Sequence, residues 1–76
     1  MAMDVWILIK SVDYEGSEII DVYATAEAGL PTLRAEILHN PYTGGEPQQN
    51  EEGDWFLIQG DISYTLSRWI VTTEPP

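Results

Sequence analysis

Side chains with the types and spacing that chemistry demands fall in four places in this sequence. Asn50, Glu52 and Asp54 set oxygen donors at alternating positions, as a divalent-cation loop does. The stretch lacks that loop's full pattern, with its glycine and closing bidentate glutamate, so turn composition explains it more simply. Asp54 and Asp61 stand near strand ends, where two approaching carboxylates could divide acid and base duties. A turn at Gly60-Asp61 accounts for Asp61 without them. His39 is the single imidazole and has no Ser or Cys partner in a recognisable nucleophile motif. Thr43-Gly44-Gly45-Glu46 is glycine-rich, but it holds no lysine and does not join a strand to a helix, as a phosphate cradle must. With one His and no Cys, a structural zinc site has no ligand set. The expectation is a protein that is not an enzyme and holds no metal and no cofactor.

Charge says more than any motif. Thirteen acids face three bases, Lys10, Arg34 and Arg68, for a net charge of −10. Such a surface repels anionic membranes and nucleic acid, whose binding draws on Lys and Arg at phosphates, so no direct nucleic-acid contact is expected. It attracts basic proteins, at a rate that falls as salt rises. The acidity does not imply disorder: hydrophobic residues reach 43%, with three Trp, four Tyr and one Phe to build a core. No run approaches a membrane span. The opening Met1 to Lys10 carries Asp4 where a signal peptide is positive, and the lack of cysteine fits a reducing compartment, so a cytoplasmic location is expected.

Seventy-six residues make one domain, 1–76. Val5 to Val12 is rich in β-branched residues and predicts a strand apolar on both faces: Val5, Ile7 and Ile9 on one, Trp6, Leu8 and Val12 on the other. That pattern suits a central strand, or one whose second face meets a partner. A turn over Asp13 to Ser17 leads to a second strand, Glu18 to Thr25. Thr25 is an N-cap candidate for a helix to His39, with Ala26, Leu30, Leu33 and Ile37 as its apolar stripe. Gly29 and Pro31 predict a kink or a late start. Residues 40–54 read as a long polar loop, either functional or mobile. Trp55 to Gln59 and Ser63 to Thr72 read as a second hairpin, and the tail 73–76 as frayed. The order predicts an α+β, two-layer β-β-α-β-β domain: a four-stranded antiparallel sheet with one helix on one face.

The run Asp13-Tyr14-Glu15-Gly16-Ser17-Glu18, then Asp21-Val22-Tyr23-Ala24-Thr25-Ala26-Glu27, a helix and a closing Trp69-x-Val71 strand resembles a loose group of very small phage and bacterial proteins. In that group a hairpin leads through a Val, an aromatic, a hydroxyl cap and a Glu into a helix and a second hairpin. Gly29-Leu30-Pro31 and the long loop depart from its pattern. The resemblance implies the fold and a phage or bacterial origin, and its motifs of turn, cap and core carry no chemistry.

Two functions are expected from these features. In the first, the chain is an inhibitor that occupies a basic surface on a larger, nucleic-acid-handling protein, with acids standing in for phosphates. A phage-encoded inhibitor of the anti-CRISPR or other anti-defence type is the concrete form. Its contacts would be Glu15, Glu18 and Asp21 on the first hairpin, with Glu46, Glu51, Glu52 and Asp54 on the loop. In the second, the chain is a homodimeric structural module, self-associating through an edge strand or the uncovered sheet face, where Trp6, Leu8 and Tyr23 would lie.

Overall fold

A computed structural model describes residues 2–72. Strands β1 (Ala2–Val12) and β2 (Gly16–Tyr23) form the first hairpin, and α1 (Ala26–His39) follows. Then come a short β3 (Gln48–Gln49), β4 (Trp55–Gln59) and β5 (Ile62–Thr72). The sheet order is β2-β1-β5-β4-β3, and all pairs are antiparallel. The doubly apolar β1 is central, as its pattern requires: β2 borders it on one side and β5 pairs along its whole length on the other.

The α+β class and the single helix over one face match the expectation; the strand number does not. The sheet has five strands because Gln48–Gln49, placed in the loop by composition, pairs with Trp55–Phe56. The turn that makes this possible is built from the residues weighed above for a cation. The Asn50 side-chain oxygen accepts backbone N–H bonds from Glu52 and Asp54, and Gly53 takes a left-handed φ of 92°. A Gln-Gln pair carries no alternating apolar signal, so periodicity could not reveal the fifth strand.

The helix starts at Ala26, not late. Thr25 Oγ1 accepts the Ala28 N–H at 3.2 Å, satisfying one of the donors that a helix start leaves free. Pro31 lies inside the helix and points outward, so it costs one backbone bond without disturbing the packed side. Gly29 is buried for a different reason. A Cβ there would meet Leu66 Cδ1 and Tyr23 Cδ2, each at 2.9 Å, so the missing side chain lets the helix lie close on the sheet.

Leu33 and Ile37 of the helix close over Leu8, Leu57, Tyr64 and Leu66 of the sheet, and these six form the core. Trp6, Ile20, Tyr23, Leu30, Trp55 and Ile62 pack around them. The Tyr64 hydroxyl accepts a bond from Asn40 Nδ2 at 3.1 Å, so the buried ring has its polar tip paired. The helix lies over β1, β2 and β5 and reaches β4 only through the core at Leu57. The segment after it completes the cover, held by Thr43 Oγ1 donating to the Ile37 carbonyl and by Gln59, whose amide bonds both the N–H and the carbonyl of Gly44. Pro47 is buried beneath this strap. The tail 73–76 lies outside the described residues.

The cover lies on the face that holds Trp6, Leu8 and Tyr23, and this corrects their expected role. Leu8 is fully enclosed, and Trp6 and Tyr23 pack against the core, so these three cannot form an uncovered self-association face. Alternation along β1 separates two apolar sets but does not say which one a helix will take. The closeness that Gly29 permits to Tyr23 and Leu66 goes with the even-numbered set of β1.

Candidate functional site

The other face of the sheet has nothing over it. Antiparallel partners share a face, so the register identifies its members. From β1 it takes Met3, Val5, Ile7, Ile9 and Ser11; from β5, Val71, Trp69, Ser67, Thr65 and Ser63. Strand β4 adds Phe56 and Ile58, and β3 adds Gln48. Strand β2 adds Val22, Ile19 and Ser17, its register shifting by one residue opposite Leu8 and Ile9. None of these residues is charged. In a chain with a net charge of −10, a charge-free face four long strands wide is the most distinctive surface feature.

Its exposure is unusual in degree as well. Ile58 and Ile19 are 68% and 63% accessible, and Trp69 is half exposed. Single exposed apolar residues are ordinary, but a contiguous set on paired strands is what marks a contact surface. Some of the polar atoms on the face are engaged within the chain. Ser11 and Ser17 bond each other across the β1–β2 pair at 2.6 Å, and Trp69 Nε1–H donates to Ser67 Oγ at 3.0 Å. The remaining polar side chains of the face, Ser63, Thr65 and Gln48, are set among apolar neighbours.

The seven acids expected to form one contact surface do not come together. Glu15, Glu18 and Asp21 lie on the β1–β2 turn and on β2, at one edge of the sheet. Glu51 and Glu52 sit in the β3–β4 turn at the opposite edge, with Asp54 just after them. Five strands separate the two groups by about 19 Å. Two of the loop acids also have internal duties: Glu46 pairs with Arg34 at 3.3 Å, and Asp54 Oδ1 accepts the Arg68 N–H at 3.2 Å. Asp21 Oδ1 accepts the Val22 N–H at 2.8 Å, tying up an edge donor at the register shift.

The concave features are shallow grooves on the covered side. One, of about 520 Å³, lies between the end of α1 and the first turn; it brings His39 together with Lys10, Glu36, Tyr42 and Tyr64, and no Ser, Thr or Cys lines it. Another, of about 460 Å³, holds Trp6 and Trp55 between Asp4, Glu27 and Glu52. Asp54 and Asp61 lie at opposite ends of β4 and do not approach as a pair. Among the described residues no group of three or more His, Cys, Asp or Glu could hold a metal ion, and no helix is long and apolar enough to cross a membrane.

The residues that make the open face were missed as a site, although part of the signal was present. Val5, Ile7 and Ile9 were recognised as a second apolar face of β1, and Trp55-Phe56-Leu57-Ile58 is apolar at every position. What could not be read locally is that Phe56 and Ile58 join Ile7 and Ile9, since β5 inserts between their strands. Compared with known protein families, curated proteins and solved structures, the chain matches none, and its functional reading rests on these residues.

Proposed function

We propose that this chain is a non-enzymatic protein-binding module whose contact surface is the open face of its sheet. One observation carries the reading: apolar residues from four paired strands lie side by side, uncharged and uncovered, on a chain with a net charge of −10. Covering apolar surface contributes roughly 25 cal/mol per Å², so leaving this face in water is the costliest feature of the exterior. Acids elsewhere keep the chain dispersed and repel anionic competitors such as nucleic acid.

A second reading assigns the contact to the first-hairpin acids, as in a phage-encoded inhibitor that presents carboxylates to the basic surface of a bacterial nucleic-acid-handling complex. It is favoured by Glu15, Glu18 and Asp21, which are all exposed along one edge and unengaged by any ion pair among the described residues. The two readings differ in salt response and in sensitive residues. Tagged wild type is compared with Ile58→Lys and with a Glu15→Lys, Glu18→Lys, Asp21→Asn variant by capture from bacterial lysate across a salt series. The open-face reading expects retained protein that survives rising salt and is lost only with Ile58→Lys. Protein released by salt and lost only with the acid variant transfers the function to the hairpin edge.

A further inference from the structure

We infer that the occupant of the open face is a second copy of this chain, two sheets stacking face to face into a sandwich with the helices outside. The inference rests on the open-face reading and names its partner.

The face selects by shape and apolarity, because it offers no charge to a partner. A basic protein would be drawn to the carboxylates, and none of those lies on this face. What fits is an uncharged, twisted apolar sheet surface, and an identical face meets that requirement. An isologous pair also needs only one surface to be self-complementary. Here Thr65 on central β5 lies between the larger Ile9 of β1 and Phe56 of β4, so side-chain size varies across the face.

Area favours the same occupant. Four strands about 4.8 Å apart and about nine residues long give a face on the order of 600 Å². Two such faces bury about 1,200 Å², at the threshold of a specific, stable interface. The edge-to-edge alternative is blocked on β2, where the register shift and the Asp21–Val22 bond interrupt the free edge and Glu18 charges it.

Stacking places the like charges apart. Sheets pack about 10 Å from each other, and the acids of each copy lie at its sheet edges and on its covered side, none on the stacked face. Such separations exceed the screening length of about 8 Å at physiological salt, but not the length of about 30 Å in 10 mM salt. The dimer therefore tightens with salt, opposite to a contact made through acids.

Sedimentation equilibrium on the purified chain tests this, from about 10 mM to about 150 mM NaCl, the range over which that screening changes. The expected result is a species of twice the 8.6 kDa chain mass at micromolar concentration, with a dissociation constant about tenfold lower at the higher salt. Ile58→Lys and Trp69→Thr should each give folded monomers by circular dichroism; both side chains are at least half exposed in the single chain, so neither holds its core. Wild type that stays monomeric at every concentration and salt overturns the second copy. Nile red then separates the two claims: fluorescence raised by wild type and lost with Ile58→Lys leaves the open-face reading standing, while equal fluorescence from both removes it. A dimer that persists in both variants, or that dissociates as salt rises, overturns the inference and places the contact elsewhere.

Discussion

Gly29 shows how one residue can serve packing against its own propensity. Glycine inside a helix costs about 1 kcal/mol relative to alanine, so Gly29→Ala on an open helix would stabilise. At this position the added methyl meets Leu66 and Tyr23 at 2.9 Å, and Leu66 is wholly enclosed and has nowhere to move. Overpacking of this kind costs about 1–3 kcal/mol. Gly29→Ala is expected to lower stability by a net of about 1 kcal/mol in urea unfolding, and a gain would show that the sheet can yield. Tyr14, fully exposed at a left-handed φ of 72°, breaks local preference too, inside the turn that the Glu15 N–H closes on the Val12 carbonyl at 3.0 Å. The carboxylates weighed for chemistry resolve into local duties: Asp54 accepts a backbone N–H of β5, Asp21 one of β2, and Glu46 pairs with Arg34.

Pro31 and the covering strap matter among the secondary elements. Pro31 removes the bond that the Glu27 carbonyl would accept, yet its ring faces water and packs on nothing in the core. Proline in a helix interior costs about 3 kcal/mol, and losing its stiffening of the unfolded chain returns up to about 1. Pro31→Ala is expected to raise stability by about 2 kcal/mol, or Tm by roughly 10 °C, by thermal denaturation. An unchanged Tm would mean that the first turns already do without that bond. Helix α1, at 14 residues, is about 21 Å long, whereas β1 and β5, at 11, reach about 36 Å. The helix therefore leaves the Asp4–Ile70 end of the sheet projecting past it, and the strap from Thr43 to Pro47 broadens the cover over β4. Composition identified that strap as a long polar loop; the contacts that fix it run to Ile37 and Gln59, 6 and 15 residues away.

The molecule as a whole is a half-finished sandwich. Its radius of gyration is 13.2 Å, against about 11 Å for a compact chain of this length, and it measures 43 × 27 × 21 Å. One apolar face is sealed by a helix and a strap; the other is uncovered among the described residues. The uneven charge, thirteen acids to three bases, also acts at this scale, through self-repulsion that salt relieves. Stability of the monomeric Trp69→Thr variant should rise with added NaCl by roughly 0.5–1 kcal/mol, or about 2–8 °C in Tm. Measuring the monomer removes the contribution of association. A flat Tm would show the acids to be too dispersed to form a concentrated field.

The sequence by itself determined β1 from Val5 to Val12, its two apolar sets, the Thr25 cap, the His39 helix end and the 60–61 turn. Each of these depends on neighbours within a few residues, through alternation, capping or turn chemistry. It also determined the net charge, while the start of β1 at Ala2 came with its pairing to β5. The tertiary structure alone decided that Trp6, Leu8 and Tyr23 lie under the helix and that Ile7, Ile9, Phe56, Ile58 and Trp69 share the other face, with Ile58 and Trp69 exposed. It also decided that the acids divide between opposite edges. The physical reason is that β5 enters between β1 and β4, so residues nearly fifty positions apart come to share one face. Which of two similar apolar faces takes the cover then depends on how closely the helix can approach across them, and local sequence carries no record of that distance.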